Sequence, residues 1–176
     1  MITTAHLELR PHRPEELLAL LEGKEQYEQA SGLMLADGLH ELFVSGEVSP
    51  AWIAQLRQRG GADPWKYGFA VVLRDAGLVV GSAGFKGPAD SDGVVEIAYG
   101  IVPAFQGRGL ATEAATALVS FASQHAEVMR LRAHTLPEPN ASTRVLTKCG
   151  FEFVGEVVDP EDGLVWRWER PAETFE

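Results

Sequence analysis

Two glycines spaced for a phosphate-binding turn lie in the run Gln106-Gly107-Arg108-Gly109-Leu110-Ala111. The run stands between a segment with strand-like alternation and a segment with helical spacing. Glycine lets a backbone turn tightly and approach a ligand, because no Cβ stands in the way. A helix that begins here would present amide N–H groups with no partner inside the helix, and these favour a phosphate or pyrophosphate. The run therefore predicts a phosphate-bearing ligand. The alternative is a turn that only joins a strand to a helix.

The spelling of this run separates it from two common phosphate-binding loops. A Walker loop needs a Gly-Lys-Ser/Thr ending, and the chain contains none. A dinucleotide fingerprint needs glycine or alanine at its third conserved place, where Thr112 stands. A nucleotide-binding α/β protein is therefore the weaker interpretation of the run.

Side chains outside the run could carry acid–base chemistry. Glu96 lies in an otherwise apolar segment, where a lone carboxylate is unfavourable, and it is the candidate general base. The alternative is an ordinary strand residue that faces solvent. Ser142 could donate a hydrogen bond to a leaving group, or it could cap the helix that follows it. His134 is a second candidate base, although a structural role in its strand is the simpler interpretation.

The elements that would position these residues can be predicted from periodicity and turn residues. Their order is β-α-α-β-β-β-α-β-α-β-β, which is typical of a single mixed α/β domain. The segment 25–48 is ambiguous, and residues 170–176 are expected to form a loose tail. Strands are predicted over residues 6–10, 68–74, 78–86, 94–102, 131–135, 151–158 and 164–168, and helices after Pro14, after Pro50, over 112–122 and over 140–149.

Composition limits the classes of function. The chain has 176 residues and a net charge of −10, and this charge argues against nucleic acid as a partner, because phosphate contacts need clustered Lys and Arg. The charge is compatible with a cationic substrate such as an amine, or with solubility alone. The single cysteine, Cys149, excludes an intrachain disulfide and suits a reducing cytoplasm. We see no secretory signal and no apolar run long enough to cross a bilayer, and so expect a cytoplasmic protein with no membrane partner.

Three stretches together resemble the GCN5-related N-acetyltransferase (GNAT) superfamily. They are the strand-like Glu96–Pro103, the glycine run Gln106–Ala111, which fits the superfamily's pattern Gln/Arg-x-x-Gly-x-Gly/Ala, and Asn140–Phe151 with its closing Gly-Phe pair. The predicted order of elements is also similar to that of the superfamily over nearly the whole chain. The wording of these stretches resembles the ribosomal-protein N-acetyltransferase (RimJ/RimL-like) branch in particular.

The resemblance implies one N-acetyltransferase domain over residues 1–176, with a mixed central sheet flanked by helices. It implies direct transfer of an acetyl group from acetyl-CoA to a primary amine in a ternary complex, without a metal. The amine could belong to a protein N-terminus or to a small molecule, and the protein would be a monomer or a homodimer. The implied catalytic residues are Glu96 as base and Ser142 at the leaving sulfur, and the implied cofactor-binding residues are Ile101, Val102, Gln106, Gly107, Arg108, Gly109, Leu110, Ala111 and Asn140.

One departure from the superfamily's pattern leaves a second function open. Many members carry a tyrosine as general acid in the last helix, and this chain has Leu146 at that place. The alternative function is therefore a coenzyme A-binding sensor or scaffold that keeps the fold without turnover.

Overall fold

The computed structural model describes residues 1–45, 49–58 and 60–174. The strands are β1 Ile2–Thr3, β2 Leu7–Pro11, β3 Met34–Leu35, β4 Phe69–Leu73, β5 Leu78–Phe85, β6 Val94–Ile101, β7 Arg130–Thr135, β8 Glu152–Asp159 and β9 Gly163–Pro171. The helices are α1 Pro14–Glu22, α2 Lys24–Ser31, α3 Leu39–Ser45, α4 Pro50–Leu56, α5 Pro64–Tyr67, α6 Leu110–Ser123 and α7 Ala141–Lys148, with a 3₁₀ turn over Pro103–Phe105. Among these helices, none is both long and apolar enough to pass through a lipid bilayer.

The strands form one mixed sheet in the order β1-β2-β4-β5-β6-β7-β9-β8, with β3 beside β5. Neighbours along this order are antiparallel except for β6 and β7. The parallel β6–β7 ladder joins only three residue pairs, from Val94↔Arg130 to Glu96↔Arg132. Both strands continue beyond the last pair, so they separate and a cleft opens between them. The predicted mixed sheet flanked by helices is confirmed.

Helix α6 packs on one face of the sheet, against β5 and β6. Its buried stripe is rich in alanine and includes Ala114, Ala115 and Leu118. Small side chains let the helix lie close to the strands, where Val95 and Ile97 are almost fully buried. Helix α3 packs against β5 on the opposite face of the sheet. It also approaches β6, since a Cβ added to Gly100 would meet Leu42 of α3 at 3.3 Å. The cleft thus lies between two packed layers.

The predicted strands and helices all occur between β2 and β9, with boundaries that shift by a few residues, and the structure has additional elements between α1 and β4. The helix after the glycine run begins at Leu110 rather than Thr112. The ambiguous segment contains α2, β3 and α3, and residues 46–48 lie outside the described part of the chain. The short β1 and α5 were not predicted.

The expectation of a loose tail from Arg170 is wrong for residues 170–173. Strand β9 extends to Pro171, which pairs with Arg130 of β7. The Ala172 N–H then donates to the Met129 carbonyl, and the Glu173 N–H donates to Ser123 Oγ. Main-chain pairing with β7 holds this segment, and the local sequence gives no sign of that distant partner. Residues 175 and 176 of the predicted tail lie outside the described residues.

Candidate functional site

The glycine run forms a turn that requires glycine at two positions. Gly107 has φ +78° and Gly109 has φ +77°, in the left-handed region that side chains disfavour. A Cβ added at either position would meet no atom within 4 Å. The requirement therefore comes from the backbone conformation, and the space in front of both glycines is open to a ligand.

The turn delivers the chain into the N-terminus of α6. Gly109 occupies the N-cap position, and no side chain of the described residues caps the helix there. The first helical hydrogen bond runs from the Glu113 N–H to the Gly109 carbonyl, so the N–H groups of Leu110, Ala111 and Thr112 precede the helical ladder. These amides and the positive end of the helix dipole suit an anion. The Gln106 amide braces the turn, because its Nε2 donates to the Ile101 carbonyl at 2.9 Å.

Two cavities meet beside this turn. The loop cleft, of about 370 Å³, is bounded by the glycine run, the end of β6 and one side of α7. The apolar pocket, of about 340 Å³, lies over β5 and β6 beneath α3 and α4. Leu42, Tyr99 and Gly100 line both cavities. The two cavities are therefore adjacent, with Tyr99 and Gly100 at their boundary.

The backbone of β6 presents one set of its polar groups to the opening between β6 and β7. The Lys86 N–H donates to the Glu96 carbonyl, and the Val102 N–H donates to the Val80 carbonyl. In an antiparallel ladder the intervening odd-numbered residues point the other way, so Tyr99 and Ile101 direct their N–H groups away from β5. Val102, which was predicted to bind the cofactor, directs its N–H to β5, accepts from Phe105 with its carbonyl, and is fully buried.

Glu96 is held by a network of cationic and imidazole groups. Its Oε2 lies 3.1 Å from Lys86 Nζ and 3.1 Å from His134 Nδ1, although the angle at the imidazole is poor for a hydrogen bond. Partial burial opposes the charge of Lys86, yet the Glu96 carboxylate raises the pKa of Lys86 above its usual value. Glu96 shares its sheet face with Ala98, which lines the apolar pocket, but Glu96 itself borders neither cavity.

His134 is not arranged to act as a base. Arg167 Nε donates to His134 Nε2 at 3.1 Å, which makes Nε2 the acceptor and leaves the ring proton on Nδ1. Nδ1 lies 3.1 Å from the Glu96 carboxylate but outside hydrogen-bonding geometry, and the His134 side chain is 6% exposed. His134 therefore orients Glu96 in this arrangement, and its own lone pair is occupied by Arg167.

Helix α7 is capped by Asn140 rather than by Ser142. Asn140 Oδ1 accepts from the Thr143 N–H at 3.0 Å, and Thr143 Oγ1 accepts from the Asn140 N–H at 3.0 Å. This capping box engages the Asn140 side chain, and Asn140 does not line the loop cleft. The capping role considered for Ser142 is therefore wrong. The Ser142 hydroxyl is left to face the cleft.

Tyr99 is a candidate functional residue that the sequence reasoning missed. Tyr99 lines both cavities, and its side chain shares a hydrogen bond with Ser142. Burial raises the pKa of Tyr99 to about 12, and the hydrogen bond with Ser142 offsets only part of that rise. The phenol therefore stays protonated and can donate a hydrogen bond at the junction of the cavities.

The basic residues of the loop cleft also differ from the expected one. The Arg108 guanidinium lies 4.9 Å over the Phe105 ring, a cation–π contact, and Arg108 does not line the cleft. Arg144 and Lys148, one turn apart on α7, do line it, and neither forms an ion pair with any residue that the structure describes. Their four-residue spacing on a predicted helix was the sequence signal that could have found them.

The family model described as an acetyltransferase (GNAT) domain matches residues 6–152. The chain belongs to the GNAT acetyltransferase family. The uncharacterized N-acetyltransferase YjdG of Bacillus subtilis is 31% identical over 91 residues, which are 52% of each protein. The uncharacterized N-acetyltransferase p20 of Bacillus licheniformis is 27% identical over 93 residues, 53% of this chain and 52% of that protein. The chain thus spans about half the length of the curated relatives it matches.

Solved GNAT structures share the fold over nearly the whole chain. A GNAT-family acetyltransferase from Bacillus anthracis superposes with a TM-score of 0.65 and 19% identity, over 98% of this chain and 99% of that one. RimL, the ribosomal L7/L12 alpha-N-protein acetyltransferase in complex with coenzyme A, gives 0.63 and 16%, over 97% and 96%. The aminoglycoside acetyltransferase AAC(6′)-Ib in complex with coenzyme A gives 0.61 and 20%, over 94% of both chains. At these identities the likeness concerns the fold.

The loop cleft fits the GNAT cosubstrate chemically. Coenzyme A carries a pyrophosphate and a further phosphate, which need N–H donors and positive charge, and the cleft offers the first amides of α6 with Arg144 and Lys148. Of the predicted cofactor-binding residues, Ile101, Gln106, Gly107, Gly109, Leu110 and Ala111 line this cleft, as does Ser142 of the predicted catalytic pair. Val102, Arg108 and Asn140 do not. Within the described residues, no group of three His, Cys, Asp or Glu side chains is arranged to hold a metal ion.

Proposed function

We propose that this chain is an N-acetyltransferase that moves the acetyl group of acetyl-CoA directly to a primary amine in a ternary complex. The observation that carries the proposal is the wall that the two cavities share at Tyr99 and Gly100. A donor in the loop cleft and an acceptor in the apolar pocket would meet at this boundary. Direct transfer needs this contact, because holding both reactants in place removes most of the entropic cost of their encounter.

The donor would lie along the loop cleft. Its pyrophosphate would accept hydrogen bonds from the first amides of α6, and Arg144 and Lys148 would balance its charge. The pantetheine arm would pass along the edge of β6, where Tyr99 and Ile101 direct their backbone groups. An N–H group of this edge would polarise the thioester oxygen as negative charge develops on it.

Glu96 is proposed as the base of the reaction. The amine nitrogen forms a bond to the acetyl carbon while the bond from that carbon to sulfur breaks. The nitrogen loses a proton, and Glu96 would accept it through water, because Glu96 lies two residues before Ala98 of the pocket wall, on the same face of β6. Lys86 and His134 would hold the carboxylate in place.

Tyr99 and Ser142 are proposed to stabilise the leaving thiolate. A thiol has a pKa of about 8.5, well below the value near 12 to which burial raises the pKa of Tyr99. Complete proton transfer from the phenol to sulfur would therefore be uphill. The Tyr99 hydroxyl would instead donate a hydrogen bond to the sulfur while Ser142 donates to the Tyr99 oxygen, and the thiolate would take its proton from solvent.

The competing function is a coenzyme A-binding sensor or scaffold. Leu146 favours it, because the position of the superfamily's tyrosine acid is filled by a side chain that is 1% exposed in the core. RimL is named as an alpha-N-protein acetyltransferase of ribosomal L7/L12, and AAC(6′)-Ib as an aminoglycoside acetyltransferase. Both kinds of acceptor therefore belong in the proposal. We further propose one such domain over residues 1–176, acting in the cytoplasm as a monomer or homodimer.

Turnover with a panel of primary amines tests the proposal. The chain is incubated with acetyl-CoA and each amine, thiol release is followed, and the acetylated product is identified by mass spectrometry. Amine-dependent release with an acetylated product supports the enzyme. Binding of coenzyme A without turnover of any amine supports the sensor, and absence of binding by calorimetry removes both.

A further inference from the structure

The apolar pocket has a floor made of small residues. Ser82 and Gly84 of β5 lie beside Ala98 and Gly100 of β6, and all four line the pocket. A Cβ at Gly84 would meet the Gly68 Cα at 2.8 Å, so only glycine fits there. The floor is therefore low and fixed by backbone packing, with Gly68 against Gly84 and Leu42 close to Gly100.

Aromatic and aliphatic side chains form the walls of this pocket. The rings of Phe43 and Trp52 stand 5.5 Å apart at 54°, from α3 and α4. Leu39 and Tyr67 continue the wall. Such surfaces favour an apolar body, because each square ångström of apolar area removed from water contributes to binding.

The charges around the pocket are unfavourable for a polycation. No carboxylate belongs to the described residues that line it, and its charged lining residue is the exposed Lys66. The Glu96 carboxylate, two residues before Ala98 on β6, already pairs with Lys86 and lies beside His134. A substrate with several ammonium groups would leave its extra charges without partners, which is costly in an apolar cavity.

We propose that the acceptor is a monoamine whose amino group is carried by a compact apolar body of aromatic or branched aliphatic size. This inference rests on the proposed acetyl transfer. The volume of about 340 Å³ is at the lower end of the range for small-ligand pockets, and it holds one such body. A free small amine and an apolar N-terminal residue of a peptide share this chemistry, and the experiment separates them.

The test compares kcat/KM for matched acceptors with acetyl-CoA. Phenethylamine and isoamylamine represent free apolar amines, a tripeptide beginning with Phe represents the peptide source, and spermidine and tobramycin represent polycations. We expect the apolar acceptors to exceed the polycations by about 10- to 100-fold, the factor that burying one such side chain supplies. The ratio of phenethylamine to the tripeptide identifies the source.

Two variants and a control locate the preference in this pocket. Trp52→Ala should lower kcat/KM for phenethylamine about 10-fold and leave coenzyme A affinity unchanged, because Trp52 borders only the apolar pocket. Ser82→Asp adds a carboxylate to the floor and should shift preference toward spermidine. Phe153→Ala, which truncates an exposed aromatic residue outside both cavities, should change neither value.

The outcomes keep the two proposals apart. Preferred turnover of spermidine or tobramycin by the wild type overturns the acceptor class and leaves acetyl transfer standing. Equal losses for all acceptors in Trp52→Ala also overturn the acceptor class. Binding of coenzyme A with no turnover of any amine overturns the proposed function, and the acceptor class with it.

Discussion

At the scale of single residues, the proposed chemistry depends on side chains held by partners from distant parts of the chain. Glu96 is positioned by Lys86, which directly follows β5, and by His134 of β7. Tyr99 shares a hydrogen bond with Ser142 of α7. Glu96 and Ser142 could be predicted, because each stands out in its local pattern. Tyr99 could not, since an aromatic residue in an apolar strand has an ordinary composition, and its place between two cavities depends on α3 and α7.

Glu96→Gln should keep the shape of the site and remove its base. We expect the rate with a good acceptor to fall about 10²–10⁴-fold, the usual contribution of general acid–base catalysis. Coenzyme A affinity should stay the same, because Glu96 does not line the loop cleft. Glu152→Gln, on the exposed β8, is the matched control, and a wild-type rate in Glu96→Gln would make Glu96 a structural residue.

Tyr99→Phe should lower kcat about 10- to 100-fold, because a hydrogen bond to a charged group contributes about 1.5–3 kcal/mol. The ring is kept, so both cavities keep their wall. The loss should shrink with an acetyl thioester whose thiol has a lower pKa, since that thiolate needs less stabilisation. In a double-mutant cycle with Ser142→Ala the losses should be non-additive. Equal losses for both thioesters would contradict a role at the sulfur.

At the scale of elements, the glycine turn and the start of α6 form one unit. The positive φ at Gly109 and the open space before it are local properties, and the run Gln106–Ala111 made them predictable. The placement of α7 across the cleft was not predictable from its own sequence, so Arg144 and Lys148 were missed while Arg108 was expected. Helical spacing shows which residues share a face, but not which cavity that face borders.

Gly109→Asp should weaken coenzyme A binding about 10- to 100-fold, because it brings a negative charge close to the proposed pyrophosphate site. Gly77→Asp is a matched control. Gly77 also has a positive φ, +61°, and open space for a Cβ, but it lies in the β4–β5 turn. The two variants should lose similar stability, and only Gly109→Asp should lose affinity by calorimetry. Unchanged affinity in Gly109→Asp would reduce the glycine to a turn former.

At the scale of the whole molecule, periodicity predicted most of the sheet. It missed the pairing of residues 170 and 171 with β7 and the short strands β1 and β3. The strand pairs β4–β5 and β8–β9 are local hairpins, and both were predicted from their turns. The pairing of residues 170 and 171 with β7 joins segments about forty residues apart, which no local pattern records. The two-residue β1 and β3 are too short to give a periodic signal.

Coenzyme A should stabilise the entire fold. A ligand that binds only the native state at 100 times its dissociation constant adds about 2.7 kcal/mol to the free energy of unfolding. Thermal denaturation with and without ligand measures this gain, and Gly77→Asp should keep it while Gly109→Asp loses most of it at the same ligand concentration. ATP and NAD at matched concentration serve as controls, and an equal gain with either would favour the nucleotide-binding alternative.

Acid should destabilise the protein through His12. Burial lowers the pKa of His12 to about 4 from an ordinary 6.5, a loss that the backbone of Tyr67 only partly offsets. Above pH 6.5 the residue is neutral in both states and costs nothing. As pH falls from 6.5 to 4 the unfolded chain binds a proton that the native state refuses, so stability should fall by about 3 kcal/mol. Denaturation curves over this range measure the slope, which His12→Gln should flatten; an unchanged slope would place the acid sensitivity elsewhere.

The three-pair ladder between β6 and β7 makes their junction the place where the sheet can flex. Strands β1 to β6 and strands β7 to β9 form two blocks, and the backbone bonds that the structure describes between β6 and β7 lie at one end of the strands, from Gly93 to Glu96. A pantetheine arm bound between the two strands would form hydrogen bonds with the backbone groups that the short ladder leaves unpaired. The bound donor would then pair with the strands as a further strand does. Binding of the donor would make the junction of β6 and β7 more rigid, and release of the product would make it more flexible again. Part of the binding free energy would offset the ordering of this junction and would not appear as affinity. Hydrogen exchange of the β7 amides should therefore slow when the donor binds.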